Sequence, residues 1–169
     1  RKPIVVSFDD GYRSVVTAAL PELQRRSWPG VLNLTVKNLH VSGGLSEYKV
    51  RTLISAGWEL ASHTLTHPDL TGLAPAALRR EVAGSRRLLR HAFGVSVHFF
   101  CYPSGRYNDG VIAAVRAAGY LGATTTVEGL AAPGNPYILK RIRVNGDDSP
   151  IEVLAHIRAA SAAGTTRRL

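Results

Sequence analysis

The sequence predicts an α/β domain: a parallel sheet covered by helices, as in a small or incomplete βα barrel or an open doubly wound sheet. Three observations predict it. Segments of strand character alternate with segments of helical spacing along the chain. Helix-start and helix-stop residues fall at the borders between them. The length of 169 residues, 45% hydrophobic and 20% charged, suits one globular domain over 1–169 rather than two domains or a disordered chain.

The β-branched run at 4–8 reads as the first strand, and 13–26 carries helical spacing behind it. An apolar strand follows at 31–36, then a helix at 46–56 with Ser46 as N-cap and Gly57 as its stop. A short strand is expected at 58–61. In 75–93, Leu78, Val82, Leu89 and Phe93 recur at helical spacing, while Arg79, Arg80, Arg86, Arg87 and Arg90 project to the other side. That pattern predicts a long helix that covers a core and turns its charge to solvent. A strand at 95–101, a helix at 108–118 capped by Asn108 and stopped by Gly119, and strands at 121–126 and 138–144 continue the alternation. Ser149-Pro150-Ile151-Glu152 is a capping box with proline at the first helical position, opening a helix over 150–160. The loose stretches are Gly43-Gly44, 127–137 and a tail at 165–169.

Composition excludes several classes. A net charge of +9, from 21 Lys+Arg of which 17 are Arg against 12 Asp+Glu, favours polyanions in general. No nucleic-acid reader motif accompanies it, so the charge reads as a solvated surface and no nucleic-acid partner is expected. The single Cys101 removes an intramolecular disulfide framework and every cysteine-rich zinc module. No window approaches the roughly 20 apolar residues of a membrane span. The absence of methionine suggests a processed or excised product, with any signal or anchor lying outside this chain.

In a parallel βα architecture, functional groups gather where strands end and loops begin. Three unusual segments are expected at that edge. Ser7-Phe8-Asp9-Asp10-Gly11-Tyr12 closes the first strand, and neighbouring side chains on extended backbone face opposite ways, so its two aspartates cannot share one role. One suits a cation and the other proton transfer. Ser62-His63-Thr64-Leu65-Thr66-His67-Pro68 holds two imidazoles four residues apart, and Pro68 biases His67 away from helix, so this is a loop pair of candidate metal ligands. Thr64 stands where a His-Glu-x-x-His metalloprotease needs glutamate, which argues against that class. Phe99-Phe100-Cys101-Tyr102-Pro103-Ser104-Gly105 ends a strand in a Pro-x-Gly turn whose backbone N–H groups can face a developing oxyanion.

Ser-Phe-Asp-Asp-Gly, Ser-His-Thr-x-x-His-Pro-Asp-Leu and Tyr-Pro-x-Gly-x-Tyr-Asn, in this order from about Pro3 to Val144, resemble the polysaccharide deacetylases, the NodB-homology domain of carbohydrate esterase family 4. The resemblance implies a distorted, incomplete (β/α) barrel of the NodB-homology type. It also implies a metal-dependent hydrolase removing acetyl groups from chitin-like, peptidoglycan or poly-N-acetylglucosamine chains. Asp10, His63 and His67 match the metal ligands, for zinc with cobalt or nickel as alternatives. Asp9 matches the catalytic base that deprotonates a metal-activated water, and the Ser104 N–H the oxyanion position. An N-acetylated glycan as substrate and a secreted or cell-envelope setting follow from the same resemblance, and a monomer is expected.

Three departures qualify it. The better-known branch carries an arginine four residues before the motif glycine, which orients the catalytic aspartate; this chain has Cys101 there, and Arg141 on a late strand is the candidate substitute. Ala123-Thr124-Thr125-Thr126 stands where the family's Asp-rich fourth motif belongs. The fifth motif, with a histidine as catalytic acid, has only the nominal match Leu154-Ala155-His156 inside a predicted helix, with water as the alternative acid. His40, His91 and His98 read as surface or packing residues, Trp58 as core, and Tyr102 as a sugar contact. Alternative functions on the same residues are an acetylxylan esterase, a small-amide hydrolase and a non-catalytic glycan-binding module.

Overall fold

The computed structural model describes residues 3–132 and 134–165. Of the tail expected at 165–169, Thr165 closes the last helix and the rest lies outside the described residues. Six strands run parallel: β1 (Ser7–Asp10), β2 (Val31–Leu34), β3 (Glu59–Ser62), β4 (Phe99–Cys101), β5 (Gly122–Glu128) and β6 (Leu139–Arg141). Their spatial order is their order in sequence. Every crossover therefore adds its strand on the same side, so the sheet winds in one direction and curls, where a doubly wound sheet would reverse. The curl brings the edge strands together: Arg141 Nη1 on β6 lies 3.3 Å from Ser7 Oγ on β1. The molecule is a parallel half-barrel with five α-helices among the described residues: α1 (Leu20–Gln24), α2 (Glu47–Ser55), α3 (Pro75–Phe93), α4 (Asp109–Ala117) and α5 (Pro150–Thr165).

Helix punctuation works as expected. The side chains of Ser46 and Asn108 accept from Lys49 N–H and Val111 N–H, and Gly57 and Gly119 follow α2 and α4 with φ of 84° and 82°. Ser149 and Glu152 form the reciprocal capping box of α5. Helix α3 has the expected bounds, with Val82, Leu89 and Phe93 buried against strand residues Leu60, Phe100 and Ala123 in one apolar core. One of its arginines departs from the expected solvent face. Arg86 is half-buried, donating from Nε to the Val97 carbonyl and from Nη1 to the Ala118 carbonyl, both at 2.9 Å, with its guanidinium over the Tyr120 ring.

Other boundaries also shift. β1 begins at Ser7, not at residue 4, because its ladder partner β2 starts at Val31, opposite Ser7; Ile4 and Val5 are exposed. The helix expected over 13–26 is broken: Leu20 N–H bonds to Val15 O five residues back, and Pro21 has no N–H to continue an α-ladder. β4 keeps only the last three residues of the strand expected over 95–101, since the Val97 carbonyl is taken by Arg86. β6 starts only after a 3₁₀ turn at Pro136–Ile138. Tyr102 is fully buried and its hydroxyl donates to the Tyr137 carbonyl at 2.9 Å, so it is a core residue and not a sugar contact.

Candidate active site

The carboxyl ends of β1, β3 and β4 carry the three motif segments into one place. β1 runs through Asp9 and Asp10, and at Asp10 the backbone turns left-handed, φ 71°. The two aspartates diverge. Asp10 Oδ1 faces the imidazoles, 3.8 Å from His63 Nε2 and 3.7 Å from His67 Nε2. Asp9 faces β6, β2 and Cys101 instead: Arg141 Nη1 and Nη2 donate to its two oxygens at 2.9 Å each, and Asn33 Nδ2 donates at 2.7 Å.

The histidine loop leaves β3 immediately after Ser62. His63 is buried, and its Nδ1 lies 2.7 Å from the Cys101 carbonyl oxygen. A carbonyl only accepts, so Nδ1 donates and the Nε2 lone pair is left facing Asp10. Burial pushes the His63 imidazole below its usual range, against the opposing charge of Asp9, which favours the neutral, ligating form. Thr64 and His67 both adopt left-handed backbone, φ 73° and 61°, and Thr64 Oγ1 accepts from His67 N–H at 2.9 Å. This hydroxyl lets a loop do what a helix with Pro68 could not, bringing the second imidazole back within 4.8 Å of the first, ring centre to ring centre.

The donor set fits a divalent metal. One carboxylate oxygen and two imidazole nitrogens lie mutually within 4.8 Å. Ligand bonds of about 2.1 Å set neighbouring donors roughly 3.0–3.4 Å apart, so the two separations between Asp10 and the imidazoles need to close by only a few tenths of an ångström. Nitrogen and oxygen donors in this ratio suit zinc, cobalt or nickel.

Arg141 owes its direction to an irregularity. Between Thr124 and Glu128 the register of β5 against β6 slips, and within that bulge the Thr125 carbonyl accepts from Arg141 Nε at 2.9 Å. With Nε fixed there, the fork points to Asp9, while Nη2 lies 3.3 Å from Cys101 Sγ. Burial alone would raise the Asp9 carboxyl, but the hydrogen bonds and charge of Arg141, with His63 and Asn33, outweigh it and hold it at about 2. The Cys101 thiol moves the other way, pushed up to about 12 by burial and by the Asp9 carboxylate. It is an inert, protonated neighbour.

Ser104 sits in the turn Pro103–Gly105 with φ 52°, three residues beyond the carbonyl that orients His63. Gly105 is required beside it: a Cβ there would meet Thr126 Oγ1 at 2.0 Å. His156 is not brought to the cluster. It lies exposed on α5, and among the described residues no hydrogen bond or ion pair links it to Asp9, Asp10, His63 or His67. His40, His91 and His98 are likewise on the surface.

Residues absent from the sequence reading also build the site. Asn33 holds Asp9, Thr35 Oγ1 lies 3.2 Å from the His63 carbonyl and 3.4 Å from Asp10 Oδ1, and Asn38 Nδ2 donates to the Asp10 carbonyl at 2.9 Å. A signal for the first was present, since Asn33 interrupts the apolar run Val31-Leu32-Asn33-Leu34 and a polar group buried in a strand needs a partner.

Comparison with known proteins agrees with the geometry. The chain is 30% identical over 145 residues to a putative polysaccharide deacetylase, YxkH, of Bacillus subtilis, covering 85% of this chain and 52% of that protein. It is 28% identical over 125 residues to a chitooligosaccharide deacetylase of Sinorhizobium fredii, covering 69% and 53%. The chain thus spans about half the length of these curated relatives. Among solved structures, the Streptococcus pyogenes deacetylase PplD in complex with acetate superposes with a TM-score of 0.87 at 26% identity, covering 93% of this chain and 71% of that one. A polysaccharide deacetylase from Bacillus cereus gives 0.83 at 27%, covering 92% and 51%. No helix among the described residues is long and apolar enough to cross a membrane. The family model for polysaccharide deacetylase matches residues 1–123, a span that takes in all three motif loops, and the chain belongs to that family.

Proposed function

We propose that the domain is a metal-dependent hydrolase that removes acetyl groups from an N-acetylated glycan of the chitooligosaccharide, peptidoglycan or poly-N-acetylglucosamine type. The observation that carries this reading is the division of two adjacent aspartates, one toward two imidazoles and the other toward a guanidinium. A binding module has no need of the second arrangement. A divalent cation held by Asp10, His63 and His67, zinc first with cobalt and nickel as alternatives, would supply Lewis acidity and a water of lowered pKa.

The chain's own residues do the rest. Arg141 and Asn33 fix the Asp9 carboxylate in its ionised state, so it is available to accept a proton from the attacking water. Bidentate pairing fixes the carboxylate plane, which a single hydrogen bond would leave free to rotate. The Ser104 N–H, in a turn whose Ser104 carbonyl is within reach of Thr126 Oγ1, donates to the acyl oxygen as it gains charge. His156 is assigned no step, and the departing amine takes its proton from water. A glycan substrate of this class implies a secreted or envelope location.

Acetate release from chitooligosaccharides tests the reading, with and without chelator and with zinc restored. Metal-restored release is expected. Glycan binding without release would favour the module, and release from acetylxylan but not from chitooligosaccharide would favour the esterase.

A further inference from the structure

Building on the metal-site reading above, we propose that Glu81 is a positioning residue for the metal loop: from α3, its carboxylate fixes the peptide groups that lie between His63 and His67. Glu81 is 9% exposed, on the second turn of the helix. Its Oε2 accepts Leu65 N–H and Thr66 N–H, both at 2.9 Å, and its Oε1 accepts the Thr66 hydroxyl at 2.8 Å. Among the described residues it has no ion pair, so these three loop donors satisfy a carboxylate that is otherwise costly to bury.

One local bond, Thr64 Oγ1 accepting from His67 N–H, spans the loop, and the rest of its support comes from outside it. Thr64 and His67 are both left-handed without being glycine, and such backbone persists where surroundings over-determine it. Glu81 grips the two residues between them. One turn further along α3, Leu65 packs so closely on Gly84 that an added Cβ would meet Leu65 Cδ1 at 3.3 Å. On the other side, Val36 N–H and Lys37 N–H donate to the Thr64 and Leu65 carbonyls at 3.1 and 2.8 Å. The loop is clamped between α3 and the β2 end, and Glu81 is the charged jaw. Through it, the helix sets the angle at which two imidazoles meet Asp10.

The test uses Glu81→Ala and Glu81→Gln. Glutamine keeps an oxygen for the two backbone N–H groups and turns its NH₂ to Thr66 Oγ1, which rotates to accept, so geometry survives without charge. Zinc is titrated calorimetrically into chelator-stripped protein, and amide hydrogen exchange of Leu65 and Thr66 is followed in the metal-free state. Expected is a roughly 10–100-fold loss of zinc affinity in Glu81→Ala, the usual range for groups that orient ligands, with protection lost at both amides. Glu81→Gln should keep that protection and stay within about threefold of wild type. Glu81→Gln with normal protection but an affinity as low as that of Glu81→Ala would overturn the proposal, because charge and not position would then be at work. Unchanged zinc affinity in Glu81→Ala would overturn it too. If Glu81→Ala fails to fold, Glu81→Asp takes its place: it keeps the charge but draws the carboxylate back from Leu65 and Thr66, so zinc affinity and amide protection should both fall, and wild-type zinc affinity with protection lost would overturn the proposal. Wild-type protein that takes up no zinc, or takes it up equally well as Asp10→Ala, would sink the metal reading itself; uptake that needs Asp10 but ignores Glu81 sinks only this inference.

Discussion

The two edges of the sheet handle left-handed backbone differently. At the amino edge, the turns leading toward β3, β4 and β5 use Gly57, Gly94 and Gly119, residues that accept positive φ without steric cost. At the carboxyl edge, glycine is joined in that region of φ, at Gly11, Gly43 and Gly105, by Asp10, Thr64, His67 and Ser104, and each of these four costs roughly 1–2 kcal/mol relative to glycine. His40, after β2, makes a fifth; of the six non-glycine cases among the described residues, only Ser27 precedes a strand. Glycine serves where a turn needs no side chain, at the site as well as away from it. Where a side chain must face the site, strain is accepted and offset by fixed neighbours: Asn38 on the Asp10 carbonyl, Thr64 on His67 N–H and Glu81 on the peptides between.

The largest expected effect is at Asp9, the proposed base. Asp9→Asn should lower turnover on chitooligosaccharide by about 10³-fold or more while zinc content stays at the wild-type value. His67→Ala, by contrast, should lower zinc occupancy itself. Loss of zinc in both, read by elemental analysis, would mean that the two aspartates have been given each other's roles.

A smaller effect sharpens the role of β6. Arg141→Ala should reduce kcat by about 10²-fold with zinc retained, since Asp9 loses its planar clamp but not its position on β1. The same change alters stability with pH. Asp9 is held at about 2 when folded against 3.8 for the free group, so its contribution, on the order of 2 kcal/mol, is present above about pH 4 and lost as pH falls toward 2. Denaturation of the metal-free protein should therefore show Arg141→Ala less stable at pH 7, with the gap narrowing below pH 4. A gap constant across that range would mean the pair does not hold the carboxylate.

Most of the frame was readable in the sequence because it depends on local rules. Helical spacing and caps located α2, α3, α4 and α5 to within a few residues, and strand ends in a βα alternation had to share an edge. What escaped depends on register. Asn33 meets Asp9 because β1 and β2 pair with those residues opposite each other, and Glu81 meets Leu65 because the loop folds back on α3. Neither follows from spacing along the chain. Tyr102 misled because an aromatic face near a motif turn suits a sugar ring, whereas the end of β4 turns its side chain inward against Phe100 and Tyr107. His156 has only a nominal motif match and a place inside the helix predicted over 150–160, and α5 carries it exposed.

The smallest effect tests the contrast between edges directly. Gly57→Ala meets no atom within 4 Å, so its cost should be conformational only, about 1 kcal/mol in chemical denaturation. His67→Gly should run the other way, leaving the metal-free protein as stable as wild type or up to about 1 kcal/mol more stable while zinc uptake is lost. Destabilisation of the metal-free protein by His67→Gly would show that the left-handed histidine is not strained.

Asp10, His63 and His67, drawn from two strand ends, are proposed to hold one divalent ion. Anomalous diffraction at the zinc edge from zinc-loaded crystals measures it without reference to activity. One strong peak is expected about 2.0–2.2 Å from an Asp10 carboxylate oxygen and from both Nε2 atoms; a peak held by other residues, or none at full zinc loading, would overturn this assignment.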